Sequence, residues 1–253
     1  MKKARIPMAR KIRVAILFGG RSAEHEISLL SAKNVFEALD KEKYEPVLVG
    51  IDKKGGWYLT DASNLIACAE STPLKSLSPT NVPLTLTSGK GNRQMINLAN
   101  RGSIEPIDVV FPVLHGPFGE DGTVQGLLKL ADIPFVGCDV LASGVGMDKD
   151  VSKRLLRDAG IDVADFVVCR RGRIGGIDFE AIRDKLGTPV FVKPCNMGSS
   201  VGISKVNTQQ ELEEAVEAAF RYDNKIIIEK YIKGREIECS VLGNEEPIAS
   251  VPG

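Results

Sequence analysis

The sequence predicts an α/β protein, with an open parallel sheet in the first half and a smaller α+β unit after it. Three observations carry this. Short apolar runs alternate with helical patterns as far as about residue 142, the order that gives parallel sheets with crossover helices. The runs at 14–18 and 109–113 are continuously apolar, as strands covered on both faces are. From about Ser143 the pattern becomes strand, helix, strand, strand around a glycine-rich loop.

Taken in order, the basic leader MKKARIPMARKIR is followed by VAILFGG. That run is broken too soon by Gly19 and Gly20 to be a signal-peptide core, and it reads as a first strand. Ser22 offers an N-cap, and Ile27, Leu30, Val35, Ala38 and Leu39 form an approximate helical stripe. Strands follow at 47–51 and 109–113, a helix at 123–130 and a short strand at 133–136. Between them, residues 71–103 are rich in Ser, Thr, Pro, Asn and Gly, and the alternation around SGKG suggests a hairpin. SGKG lacks the spacing of a phosphate-binding Walker loop. In the second half, MDKDVSKRLLRDAG reads as a helix ended by Gly160, and TPVFVKP as a buried strand. Thr208 and Glu211 have capping-box spacing, ahead of one apolar face made of Leu212, Ala215, Val216, Ala219 and Phe220. Strands are expected at 226–228 and over GREIECSVLGN.

The 253 residues carry 33 basic and 33 acidic side chains. Zero net charge gives no support to a nucleic-acid or membrane-surface partner, and no apolar run approaches the roughly 18–20 residues of a membrane helix. The five cysteines are scattered without a C-x-x-C, which disfavours a disulfide framework or a zinc site and fits a reducing cytoplasm. Small-molecule partners are expected.

Four segments carry chemistry. In GGRSAEHEIS, a strand ends in two glycines and opens a helix, which makes an anion pocket. Glu24 and Glu26 fall in the first turn, where they either serve the helix dipole or hold an ammonium group. The absence of G-x-G-x-x-G argues against a nicotinamide dehydrogenase. FPVLHGPFGEDGT places His115 in a glycine loop at the carboxyl end of a strand, where open α/β sheets bind ligands. VKPCNMGSSVGISKV sets Lys193 at a strand end, followed by Gly198, Ser199, Ser200 and Gly202, groups that suit phosphate oxygens. Cys195 in that loop has no base placed beside it and reads as a bystander. KIIIEKYIKGREIECSV carries Glu229, Lys230 and Glu236, which are either acceptors for a nucleoside or an exposed charged connection.

Together and in this order, GGRSAEHEIS, LHGPFGEDG, GMDKDVSKRLLRDAG, FVKPCNMGSSVGISKV and IIIEKYIKGREIEC resemble the signature segments of the D-alanine–D-alanine ligases of the ATP-grasp superfamily. The resemblance implies a Rossmann-like pre-ATP-grasp substrate domain over 1–142 and a central ATP-grasp nucleotide-binding subdomain over 143–243. Residues 244–253 would begin a third, C-terminal ATP-grasp domain that is absent. It implies that Glu24 contacts the amino group of the first D-alanine and shares a relay with Ser199, with His115 near the substrate carboxyl groups. Lys149 and Lys193 would hold ATP phosphates under a loop of Ser199, Ser200 and Val201. Glu229, Lys230 and Ile232 would meet adenine, and Glu236 the ribose. The implied cofactors are ATP and Mg2+, with Mn2+ as an alternative ion; the metal ligands are expected beyond Gly253, so none is expected in this chain.

The reaction would join two D-alanines for peptidoglycan synthesis in the cytoplasm, in a homodimer. A polypeptide of these residues alone is expected not to form the dipeptide. The competing readings are a D-alanine–D-lactate ligase and a non-catalytic ATP-binding fragment.

Overall fold

The computed structural model describes residues 10–73, 75–76, 82–88, 95–172 and 178–253. The first half runs β1 (Ile12–Gly19), α1 (His25–Ala38), β2 (Tyr44–Ile51), β3 (Trp57–Thr60), α2 (Ala62–Ala69), β4 (Pro83–Leu86), β5 (Met95–Asn97), β6 (Val109–Val113) and α3 (Thr123–Leu130). Its sheet has the order β5-β4-β3-β2-β1-β6. β1 lies parallel to both β2 and β6, while β3, β4 and β5 extend the sheet antiparallel.

The continuous apolar run of β1 has a direct consequence. Successive side chains point to opposite faces, so Ala15 and Leu17 enter one core with Val49, Val110 and Leu128. Ile16 and Phe18 enter the other, with Leu29, Ala32 and Leu65. Each large side chain buried in this way contributes about 1.5–3 kcal/mol. β1 is thereby the fixed spine from which the loops at its carboxyl end project.

Several expectations are corrected. Helix α1 is capped at Glu24; Ser22 instead accepts the Glu24 backbone N–H at 3.1 Å. Ile27 and Leu30 are 49% and 39% exposed, and the inward face is Leu29 and Ala32 with the polar His25 and Ser28. Residues 133–136 form a single parallel bridge, Val110 to Phe135, and not a strand. β4 and β5 pair as the hairpin reading requires; the turn at Gly89, Lys90 and Gly91 and the leader 1–9 lie outside the described residues. β3 and α2 were not foreseen.

The second half runs α4 (Val140–Met147), α5 (Lys149–Asp158), β7 (Phe166–Arg170), α6 (Phe179–Leu186), β8 (Val190–Pro194), β9 (Ser204–Val206), α7 (Gln209–Phe220), β10 (Lys225–Lys230), β11 (Val241–Leu242) and β12 (Ile248–Ala249). Its four-stranded sheet, β7-β10-β8-β9, is antiparallel throughout. Thr208 caps α7, accepting from the Glu211 N–H at 3.3 Å. The Glu211 carboxylate reaches the Asn207 N–H at 2.6 Å, one residue before the cap. The apolar face of α7 packs with α6 on one side of the sheet, as the spacing requires. GREIECSVLGN is a strand only at β11, which pairs with β12; residues 235–240 are irregular.

Candidate functional site

The site begins where β1 ends. Gly19 takes φ +88°, and a Cβ there would lie 2.3 Å from the Ile51 carbonyl oxygen, so only glycine lets the chain turn against β2. The Ser28 hydroxyl accepts the Gly19 N–H at 2.8 Å and donates to the Val113 carbonyl, which binds the ends of β1 and β6 together. The His25 ring meets the Gly20 carbonyl at 2.7 Å. This turn delivers Glu24 into the interior, where it is 7% exposed. A Cβ on Gly116 would lie 2.6 Å from Glu24 Oε2, so that glycine admits the carboxylate.

Glu24 Oε1 accepts from the Ser199 hydroxyl, 175 residues along the chain. Among the described residues, Oε2 is buried without a hydrogen-bond partner. A carboxylate oxygen in that condition is costly to bury and suits a cationic donor.

Ser199 belongs to the loop between β8 and β9. Ser199 and Ser200 have φ of 45° and 60°, a region that disfavours side chains with a Cβ. The Val201 N–H closes the turn onto the Gly198 carbonyl at 3.0 Å. Two successive strained residues in an exposed loop are the kind of outlier that marks a ligand clamp. Beneath the loop, the Lys149 ammonium donates to the Met197 carbonyl at 2.5 Å and lies 3.4 Å from the Cys195 carbonyl. Burial holds Lys149 below its ordinary pKa, and an anion nearby would raise it again. Burial pushes the Cys195 thiol up to about 12, so it is no nucleophile at neutral pH.

The second sheet separates core from chemistry by its period of two. Val190, Val192, Ile226 and Ile228 face α6 and α7. Phe191 and Lys193, and Ile227 and Glu229 across from them, therefore take the other face. There Glu229 is gripped by Lys193 on one oxygen and Lys153 on the other. Burial alone would raise the Glu229 pKa, yet the two lysines outweigh it and hold the carboxyl below its ordinary range. Lys193 keeps further N–H donors that suit an anion. Lys153 was missed in the sequence, although its place one turn after Lys149 on the same helix was a visible signal.

The fold thus joins Glu24 to Ser199, sets Lys149 under the same loop, and pairs Lys193 with Glu229. His115 is drawn to Ser31, 3.0 Å away. It lines a cleft of about 370 Å³ with Arg21, Trp57 and Phe118, and neither Glu24 nor Ser199 is in that lining. Glu120 and Asp121 cap their own loop, accepting from the backbone N–H groups of Gly116 and Phe118. Lys230, Ile232 and Glu236 lie on the exposed chain at and after the end of β10, with Ile232 64% exposed. No group of three or more His, Cys, Asp or Glu among the described residues is arranged to hold a metal ion. The residues described do not make a Mg2+ site.

Residues 13–138 match the family described as D-ala D-ala ligase N-terminus, and residues 155–253 match D-ala D-ala ligase C-terminus. The D-alanine–D-alanine ligase of Shouchella clausii is 52% identical over 246 residues, 97% of this chain and 67% of that protein. The solved structure of the Coxiella burnetii D-alanine–D-alanine ligase superposes with a TM-score of 0.83 at 40% identity, covering 96% of this chain and 70% of that one. That of the Bacillus anthracis D-alanine–D-alanine ligase complexed with ATP gives 0.61 at 31%, covering 90% and 62%. The chain spans about two thirds of the length of the curated relatives it matches, and it belongs to the D-alanine–D-alanine ligase family.

Proposed function

We propose that these residues serve the ATP-dependent joining of two D-alanines for peptidoglycan precursor synthesis. The observation that carries this reading is the Ser199–Glu24 bond. It brings a carboxylate suited to an amino group to the edge of a lysine-backed loop suited to phosphates. In the reaction, a carboxylate oxygen of the first D-alanine attacks the γ-phosphorus of ATP and the bond to ADP breaks. The resulting acyl phosphate is a competent electrophile where a carboxylate is not. The amine of the second D-alanine then attacks that carbonyl, loses a proton, and phosphate leaves. Catalysis of this kind rests on positioning and charge neutralisation.

In this reading Glu24 holds the ammonium of the first D-alanine, and Ser199 orients Glu24. His115 serves the carboxyl side, from the neighbouring cleft. Lys149 and Lys193 neutralise the phosphates, covered by Ser200 and Val201. Glu229, Lys230 and Ile232 line the adenine, and Glu236 takes the ribose. The substrate side corresponds to residues 1–142 and the nucleotide side to 143–243. Mg2+ or Mn2+ would accompany the nucleotide through ligands other than those described. A homodimer in the cytoplasm completes the reading; no helix among the described residues is long and apolar enough to cross a membrane.

The test is Glu24→Gln, with binding followed by calorimetry. D-alanine affinity should fall at least about tenfold, the scale of one charge-assisted hydrogen bond, and by more than ATP affinity does. Unaltered D-alanine affinity would overturn the assignment of Glu24.

A further inference from the structure

Lys225 opens β10, and its side chain is almost wholly enclosed, at 8% exposure. A lysine buried to this degree is expensive unless its charge is matched. Its ammonium pairs with Asp148 Oδ2 and lies 3.5 Å from Asp150 Oδ2. Burial works against these charges, yet the Asp148–Lys225 pairing outweighs it, holding Lys225 above and Asp148 below their ordinary pKa values. Asp148 uses its other oxygen to cap α5, accepting from the Asp150 and Val151 N–H groups at 3.1 Å. Asp150 is braced in turn by Arg154 at 2.5 Å.

Lys149 stands between these two aspartates. Its backbone N–H donates to the Cys195 carbonyl at 3.1 Å, and its ammonium rests on the carbonyl of Met197. The main chain of Lys225 holds that same loop. Its carbonyl accepts the Cys195 N–H at 3.0 Å, and its N–H donates to Asp223 Oδ1 at 3.0 Å. Asp223 Oδ2 receives both the N–H and the side-chain amide of Asn196, at 2.8 and 2.9 Å. One residue therefore fastens the helix from which Lys149 springs and the loop across which its side chain lies.

We propose that Lys225 is a positioning residue for nucleotide phosphate binding. It aims the Lys149 ammonium by locking the first turn of α5 to residues 195–197, and it does not touch the nucleotide. The proposal rests on the reading of Lys149 as a phosphate-binding group.

The experiment is calorimetric titration of the chain with ATP and with adenosine, which lacks phosphate. The variants are Lys225→Met, Lys225→Arg, Asp148→Asn and Lys149→Met, each with its thermal midpoint recorded. Asn caps a helix as well as Asp, so Asp148→Asn removes the ion pair while keeping the cap, and it carries the test should Lys225→Met fail to fold. Lys225→Met and Asp148→Asn should weaken ATP about tenfold, the scale of coupling between residues in contact. Adenosine affinity should stay unchanged, and Lys225→Arg should restore most of the ATP affinity. Equal weakening of ATP and adenosine, or no weakening of either, overturns the positioning role while leaving Lys149 in place if Lys149→Met still weakens ATP. ATP affinity indifferent to Lys149→Met, or no binding of ATP at all, overturns both.

Discussion

The two glycine-bearing loops that meet at Glu24 are built in opposite ways. The turn after β1 gives its unusual backbone to glycine, at Gly19 and Gly20, and ties it to the buried Ser28 and His25. The loop between β8 and β9 gives comparable geometry to Ser199 and Ser200, which are exposed. The first accepts its shape without strain and is closed to adjustment. The second holds its shape against local preference and meets Glu24 through one hydroxyl. A rigid holder for the Glu24 carboxylate faces a strained loop. Strain stored in a clamp is strain that a ligand can redirect.

The largest way to break this contrast is Gly19→Ala. A Cβ so close to the Ile51 carbonyl oxygen, at positive φ, should destabilise the protein by about 3 kcal/mol or more, read as a lowered urea midpoint. A midpoint within error of the parent would show that the turn is as pliable as its counterpart. A smaller effect of opposite sign is expected at Ser200→Gly. Relief of φ +60° should stabilise by up to about 1 kcal/mol. A loss of stability there would mean that the serine side chain contributes contacts that outweigh its strain.

The smallest effect concerns Glu26, two residues from Glu24 but on the rigid side. Burial would raise its pKa, but Lys53 and Ser76 lower it from 4.5 to about 2. The unfolded chain therefore binds the proton more readily, and stability from this group is complete above pH 4.5 and is lost as pH falls towards 2. Glu26→Gln should flatten the acid limb of the stability–pH curve within that window. Lys53 is half exposed, so added salt should shrink the difference. An acid limb unchanged in slope would remove Glu26 from the set of groups that stiffen α1.

What was legible in the sequence were the features carried by local periodicity. The β1 spine, α3 and the capped, one-faced α7 follow from apolar spacing within a few turns. Helix α1 misled because its inward positions include His25 and Ser28, polar residues buried for the hydrogen bonds they make at the β1 turn. Burial earned by hydrogen bonding imitates a solvent face. The strand expected across 234–244 is regular only at 241–242, where β11 pairs with β12; Glu238 and Ser240 make backbone hydrogen bonds to Gly253 and Ser250 outside any regular strand. Within the candidate site, the glycine–serine loop and the lysine at the strand end before it could be read from residue order. The Glu24–Ser199 bond, the Lys153–Glu229–Lys193 grip and the Lys225–Asp148 pair could not, since each joins residues far apart in the chain through tertiary pairing.

The buried clusters of the first half contain residues up to Ile133, and that of the second half begins at Phe179. With no apolar cluster shared among the described residues, the bond from Ser199 to Glu24 is a direct polar link between the two halves. On the proposed reading, an amine drawing on Glu24 would alter the hold on Ser199, and a nucleotide that repositioned Ser199 would alter the hold on the amine. Thermodynamic reciprocity makes the two shifts equal in free energy. On that reading, a single hydroxyl would make amino-acid occupancy and nucleotide occupancy a linked pair of equilibria, each ligand reporting on the other.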